Sequence, residues 1–138
     1  AEGEHFEVEL GGIVDDRVTP PNPELVASAI SPDYALGGHT ASLGLCWLPE
    51  NTLPGLPAGM VIGQHGSWNR SKLSGYKVIL VPFAEGKPQG TPIDLLTGFL
   101  AADEKTSNGR PVGVAVARDG ALLAVDDVGD TVWRVTAG

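Results

Sequence analysis

One short loop of this sequence collects a histidine, a tryptophan, an asparagine and an arginine, in the stretch Gly63-Gln64-His65-Gly66-Ser67-Trp68-Asn69-Arg70-Ser71. An imidazole exchanges protons near neutral pH, a guanidinium pairs with carboxylates in bidentate fashion, and an indole offers a flat face for stacking. The apolar runs 60–62 and 76–83 flank the stretch, so we expect one strand to end here and another to begin. Because rigid sheets present binding groups from such loops, this stretch is the first candidate site.

Two further residues with binding chemistry lie beside predicted strands. Arg110 stands between Gly109 and a strand, and His39 follows Gly37-Gly38. An arginine in a glycine-containing loop is what an anion site in an acidic protein requires. The sequence therefore predicts ligand contacts from Arg110, Arg70, His39, His65, Trp68 and Asn69.

Each of these residues also has a structural interpretation. The arginines could be surface residues paired with Asp126 or Asp127, and His65 could be a loop histidine bonded to backbone. Trp68 could be a packing wedge between sheets. His5 is expected at the surface, and Trp47 and Trp133, in the middle of strands, are expected in the core.

Metal binding has weaker support from the sequence. Asp126, Asp127 and Asp130 place carboxylate oxygens in one turn, which suits weak Ca²⁺ binding in principle. Their spacing lacks an EF-hand pattern, and hairpin-turn chemistry explains them as well. No pair of histidines has zinc-ligand spacing, so no metal ligand is assigned.

Composition narrows the class of protein. The 138 residues carry a net charge of −8, which argues against nucleic acid as a partner. Hydrophobic residues make up 42%, enough for a packed core, and 19 Gly with 11 Pro favour short strands and tight turns. No apolar run approaches the roughly 20 residues of a membrane span. Cys46 is the one cysteine, so we expect a buried, unreactive thiol and no internal disulfide.

Alternating and continuous apolar runs predict an all-β chain. A short helix over 24–30 is expected, with Asn22 as N-cap and Pro23 at its first position. A first strand is predicted over 6–10, and Asp119-Gly120 and Gly129-Asp130 are hairpin signals. The further predicted strands are Ala41–Leu48, Gly59–Gln64, Gly75–Phe83, Ile93–Phe99, Val112–Ala117, Ala121–Asp126 and Thr131–Thr136, with residues 86–90 as a turn.

These strands repeat, which predicts a propeller. The strand at 43–47 resembles that at 112–116, and the strands that follow each of them also correspond. Four-stranded meanders repeated in this way are typical of propeller blades. We predict an N-terminal arm and loop over 1–39, a complete blade over 40–100 and a three-stranded blade over 101–138; a small β-sandwich is the alternative.

Two blades leave apolar sheet faces without neighbours. The chain is therefore expected to be part of a longer polypeptide or to associate with copies of itself. Because it begins at Ala1 without Met or a signal segment, we also expect a mature product or a fragment. Three copies would close a six-bladed ring.

Several motifs resemble the sorbosone/glucose dehydrogenase family, the soluble quinoprotein sugar dehydrogenases, and most closely its sorbosone dehydrogenase branch. The resemblance covers residues 13–138, about a third of a family member. It is carried by Val14-Asp15, Pro32-Asp33-Tyr34-Ala35-Leu36-Gly37, His39-Thr40-Ala41-Ser42-Leu43-Gly44-Leu45, Gln64 to Arg70, Gly75-Tyr76-Lys77-Val78, Val81-Pro82-Phe83, Leu96-Thr97-Gly98-Phe99-Leu100, Gly109-Arg110-Pro111-Val112-Gly113-Val114-Ala115-Val116 and Asp126-Asp127-Val128-Gly129.

The resemblance implies a six-bladed propeller that holds pyrroloquinoline quinone (PQQ), with Ca²⁺ as a cofactor, and oxidises a sugar or sugar aldehyde. It implies that Arg110 binds the quinone's carboxylates, that His39 lies in a cofactor loop, and that Arg70 stands near a family lysine. The family's histidine base lies in earlier blades, so this chain alone is expected to be inactive. A periplasmic or secreted location is also implied. The alternative is a non-catalytic propeller-derived binding or assembly module.

Overall fold

A computed structural model describes residues 14–137, which form an almost entirely β structure with one short helix. The chain divides into two compact units, the first ending at Ala35 and the second beginning at Leu36. All eight strands of the described residues belong to the second unit. The predicted strand at 6–10 and His5 lie outside the described residues. No helix in residues 14–137 is long and apolar enough to cross a membrane.

The first unit contains the helix α1, Pro23–Ala27. Asn22 caps it as predicted, because its Oδ1 accepts a hydrogen bond of 2.9 Å from the backbone N–H of Leu25. The helix ends earlier than the sequence predicts. The backbone N–H of Ser28 already closes the last turn, and none of the residues of α1 is buried.

The second unit begins with an antiparallel sheet, here called sheet I. Its strands are β1 Ser42–Leu48, β2 Gly59–Gln64, β3 Lys77–Ala84, β4 Lys87–Pro88 and β5 Ile93–Leu96. Consecutive strands β1, β2 and β3 pair in order, and β5 pairs with β3 on its other edge. The short β4 was not predicted, because the turn lies at Glu85-Gly86, where both residues have positive φ, and not over residues 86–90.

A second sheet, sheet II, consists of β6 Pro111–Val116, β7 Leu122–Asp126 and β8 Thr131–Val135, paired in that order. Both predicted hairpins are present, with longer turns than two residues. In the first, the N–H of Gly120 donates to the carbonyl of Ala117, so Gly120 closes the turn and is not at its centre. The prediction of an all-β fold built from antiparallel meanders is confirmed.

The two sheets pack face to face, and the core lies between them. Sheet I contributes Leu48, Val61, Val78 and Leu80, and sheet II contributes Leu122 and Ala124; all are fully buried. A Cβ at Gly44 of β1 would lie 2.0 Å from the carbonyl oxygen of Val112. A glycine is required there because the first strands of the two sheets approach each other backbone to backbone.

The outward faces of both sheets remain open in the described residues. On β1, Leu43 and Leu45 are 63% and 62% exposed, and on sheet II Val132 is 62% exposed. The prediction that Trp47 and Trp133 lie in the core is wrong, since they are 46% and 45% exposed. Trp47 stands on the same face as Leu43 and Leu45, where residues 14–137 supply no covering sheet.

Candidate functional site

Strand register brings the predicted site residues to one end of the two sheets. In sheet I, Ser42 pairs with Gln64 and Gln64 with Lys77; in sheet II, Pro111 pairs with Asp126. The segments that leave these positions therefore emerge together, and we call them the loop end: residues 37–41, 65–76, 109–110 and 127–130. All six residues predicted to contact a ligand lie in these segments. This shared location follows from antiparallel pairing, because alternate connections between antiparallel strands lie at the same end of the sheet.

Arg110 joins the two sheets at the loop end. Its Nε donates to the carbonyl of His65 at 2.9 Å, and its Nη2 donates to the carbonyls of Gly66 and Ser67 at 2.8 and 3.2 Å. The guanidinium carbon lies 5.1 Å from the centre of the Tyr76 ring, within cation–π range. The guanidinium thus holds the backbone of the first candidate loop, and pairs with neither Asp126 nor Asp127.

Asp126 fixes Arg110 from the other side. Its buried carboxylate accepts hydrogen bonds from the backbone N–H groups of Arg110 and Gly129, each 2.8 Å long. Burial by itself raises the pKa of Asp126, but these hydrogen bonds outweigh it and hold the pKa below its usual value. A Cβ at Gly109 would lie 2.1 Å from Oδ2 of Asp126, so glycine is required for the carboxylate to fit.

His65 pairs across the sheets with Asp127. Its Nε2 lies 3.0 and 3.2 Å from the two carboxylate oxygens. Its backbone N–H donates to the carbonyl of Ala41 at 2.9 Å. His65 is therefore held at its amide, its carbonyl and its ring; its main chain is bonded as the alternative interpretation expects, whereas its ring pairs with a carboxylate.

The loop after His65 has a stiff base and an open tip. Ser67 and Ser74 close the base, because the N–H of Ser67 donates to the carbonyl of Ser74 and the N–H of Ser74 donates to Ser67 Oγ. The Tyr76 hydroxyl donates to the carbonyl of Ser67 beneath it. At the tip Trp68 is 85% exposed, so within the described residues it is not a packing wedge.

The remaining predicted residues stand around this tip. Asn69 and Arg70 are exposed, and Arg70 Nη1 donates to the carbonyl of Gly38 at 3.2 Å. His39 is also exposed and has a φ of 62°, which is uncommon outside glycine. Segment 37–41 therefore borders the loop that carries Trp68, and His39 and Arg70 belong to one surface.

Two groups at the loop end keep hydrogen-bonding capacity toward solvent. Within residues 14–137, Arg110 Nη1 and His65 Nδ1 have no protein partner, and no buried side-chain nitrogen or oxygen lacks one. Arg110 and His65 are both partly buried. Because no buried nitrogen in this part of the chain lacks a partner, these two nitrogens, which have none, must lie at the surface. Together with Arg70 and Trp68, they offer donors, an acceptor and an aromatic surface to a flat, anionic or hydroxyl-rich ligand.

Metal ligands are not grouped in the described part of the chain. No set of three or more His, Cys, Asp or Glu side chains there could hold an ion. In the turn that suits Ca²⁺ by composition, Asp126 accepts backbone N–H groups and Asp127 faces His65. These residues therefore do not provide the set of free oxygens that Ca²⁺ needs.

Sequence reasoning did not identify Asp127 as the partner of His65 or Tyr76 as the support of the loop. Asp127 was considered only as a partner for arginine or Ca²⁺. Its position directly after a predicted strand, like that of His65, is the signal that could have linked the two.

One family model, one sequence relative and several solved structures are similar to this chain. The model of a family described as TrAA12-like matches residues 15–137. An uncharacterized protein of Borreliella burgdorferi is 36% identical over 104 residues, which are 74% of this chain and 27% of that protein.

Solved structures with a similar fold include the holo form of the PQQ domain of pyranose dehydrogenase from Coprinopsis cinerea. It is 29% identical with a TM-score of 0.61, and the match covers 77% of this chain and 29% of that one. The iodide structure of a Carbohydrate-Active Enzymes Family AA12 protein from Trichoderma reesei has a TM-score of 0.66 at 19% identity, covering 86% and 30%. The calcium structure of the same protein gives the same values. The chain thus spans less than a third of the length of each of these relatives.

Proposed function

Since the chain belongs to the TrAA12-like family, we propose that it supplies cofactor-contacting loops to a PQQ-dependent sugar or aldehyde dehydrogenase. In this proposal sheet I is a complete propeller blade, within residues 40–100, and sheet II is a three-stranded one, within 101–138. The rest of the propeller comes from other blades or from copies of this chain.

The observation that carries the proposal is that all six residues predicted to contact a ligand lie together at the loop end. PQQ is a planar tricarboxylate, so a site for it needs cations with in-plane donors and an aromatic surface. Arg110 Nη1 and Arg70 offer such donors beside the exposed indole of Trp68. The residues of the loop end therefore fit this cofactor, and the similar structure from Coprinopsis cinerea is a PQQ domain.

Each residue has a distinct part in this proposal. Arg110 and Arg70 pair with the carboxylates, Trp68 stacks on the ring system, and Asn69, His39 and His65 give hydrogen bonds at the rim. When bound, PQQ would supply a two-electron acceptor for the hydride of the substrate's oxidised carbon. The proton of the substrate hydroxyl passes to a histidine outside this sequence, so the chain alone is inactive.

The substrate and the cellular location also belong to this proposal. Sorbosone or an aldose is the substrate class that the sequence resemblance implies, and a periplasmic or secreted location follows from the same source. Ca²⁺ is also implied by the resemblance, and the described residues do not fit it, so no step is assigned to it here.

Equilibrium binding of PQQ to this chain, followed by quenching of tryptophan fluorescence, tests the proposal. We expect saturable binding that Arg70→Met weakens about tenfold or more, the effect of losing one charge-assisted contact, and that Trp68→Ala weakens through loss of the stacking surface. Arg118→Met is the matched control, because Arg118 is exposed and lies outside the loop end. Absence of saturable binding, or equal binding by all variants, would refute the proposal.

A second function, a non-catalytic binding or assembly module, is favoured by the open sheet faces. Leu43, Leu45 and Val132 are each more than half exposed, and apolar faces of this kind are covered in closed propellers. In this case copies of the chain associate, three of them completing a six-bladed ring. Light scattering should then give the mass of a trimer, and Leu45→Glu should give the monomer mass. A monomeric parent chain that does not bind PQQ would leave neither assembly nor cofactor binding supported.

A further inference from the structure

The structure assigns a role to Asp127 that goes beyond cofactor contact. We propose that Asp127 is a positioning residue, which holds the His65 ring in the Nε2–H tautomer and leaves Nδ1 as an open hydrogen-bond acceptor at the loop end. The ligand that meets Nδ1 would be a hydroxyl-bearing molecule, and that identity alone rests on the proposed function.

The first argument is the geometry of the pair. Nε2 lies 3.0 and 3.2 Å from the two oxygens of Asp127, so a proton on Nε2 is shared with both. A carboxylate only accepts hydrogen bonds, and Nε2 must therefore carry the proton. With the ring neutral, Nδ1 keeps its lone pair, and it has no partner among the described residues.

The second argument is that the backbone of His65 is fixed independently of its ring. Its N–H donates to Ala41, and its carbonyl accepts from Arg110 Nε at 2.9 Å. Rotation of the ring is the freedom that remains, and the Asp127 contact removes it. A histidine with only a packing role would not need its amide, carbonyl and ring fixed in this way.

The third argument is that the turn carrying Asp127 is itself organised. Asp126 accepts N–H groups from Arg110 and Gly129, so it ties the start of β6 to the turn after β7. Contacts therefore run in a closed circuit: Asp126 to Arg110, Arg110 to the carbonyl of His65, and the His65 ring to Asp127. Asp127 is half exposed, with 52% of its side chain accessible, whereas 21% of the His65 side chain is accessible. Since Asp127 is not part of the core, its contact with His65 is separable from folding.

Nitrogen-15 NMR of this chain, labelled at histidine and followed with rising pH until the ring signals reach their limiting values, tests the proposal. The His65 signals are assigned by their loss in His65→Gln. We expect a protonated Nε2 seen directly through its attached hydrogen, and an unprotonated Nδ1. Because a hydrogen bond to a charged group contributes about 1.5–3 kcal/mol, Asp127→Ala should lower the ratio of the Nε2–H to the Nδ1–H form at least about tenfold.

Asp130→Asn is the matched control, because Asp130 is exposed in the same turn, and its φ of 48° is tolerated by asparagine. It should leave the His65 signals unchanged. A proton on Nδ1 in the parent chain would overturn the inference without any variant. An unchanged ratio in Asp127→Ala, with a folded backbone spectrum, would also overturn it. Neither result depends on PQQ, so failure of quinone binding would refute the proposed function separately.

Discussion

Replacing Arg110 by methionine removes the guanidinium that links the two sheets while keeping the unbranched apolar stem of the side chain. The variant loses Nε and Nη2 as donors to the carbonyls of His65, Gly66 and Ser67. It also loses the cation–π contact with Tyr76. The backbone bond from residue 110 to Asp126 remains, so the experiment isolates the guanidinium.

The size of the effect follows from these contacts. A hydrogen bond from a charged donor contributes about 1.5–3 kcal/mol, and a cation–π contact contributes about 0.5–2 kcal/mol. The contributions do not add in full, because one guanidinium makes all of them. We therefore expect the free energy of unfolding to fall by about 2–4 kcal/mol.

Urea unfolding followed by tryptophan fluorescence measures this change. With a denaturant slope of about 2 kcal/mol per molar, the midpoint should fall by roughly 1–2 M. Arg118→Met controls for the loss of a surface charge and should change stability by no more than about 0.5 kcal/mol. If Arg110→Met is destabilised no more than Arg118→Met, the guanidinium does not hold the loop and the account of the site is wrong.

Three further outcomes are expected. Gly109→Ala should lower the free energy of unfolding by about 2–4 kcal/mol, because its Cβ would displace the Asp126 carboxylate from its backbone donors. Gly38→Ala is the control and should be nearly neutral, since nothing lies within 4 Å of a Cβ there. Equal unfolding midpoints for the two variants would contradict this. The folded-state pKa of Asp126 is lowered, so its contribution is complete above the ordinary aspartate value of about 4 and is lost as pH falls through the lower folded value; Asp126→Asn should flatten that part of the urea-midpoint curve, and a parallel curve would count against it. Cys46 of β1 packs against the core but is partly buried, less than the sequence predicts; because this burial raises the pKa of its thiol, it should react more slowly with a thiol reagent at neutral pH than a free cysteine does, and an equal rate would contradict this packing.

The local features of the fold were accessible from the sequence. Alternating and continuous apolar runs identified seven of the eight described strands, and β2 was predicted with the bounds observed, Gly59–Gln64. The Asn22 cap was also predicted, because a capping side chain acts on a backbone group three residues away. The missed strand β4 has two residues, too few for a period to be read.

Burial of the tryptophans could not be predicted from their place in a strand. An apolar side chain in a strand can face either side, and whether that side is covered depends on what packs there. Trp47 faces outward from sheet I and touches the Phe83 ring edge-on, but no sheet among the described residues covers this face, so the indole is about half exposed.

The strands, the loops between them and the residue types in those loops follow from local sequence patterns. Which of these residues come into contact depends on how the two sheets pack in the tertiary structure. His65 and Asp127 are 62 positions apart, and Arg110 is 45 positions from the carbonyl it holds, so neither pair has a local signal. Both pairs form because the first strands of the two sheets pack closely at Gly44, and this packing places the ends of the two sheets side by side.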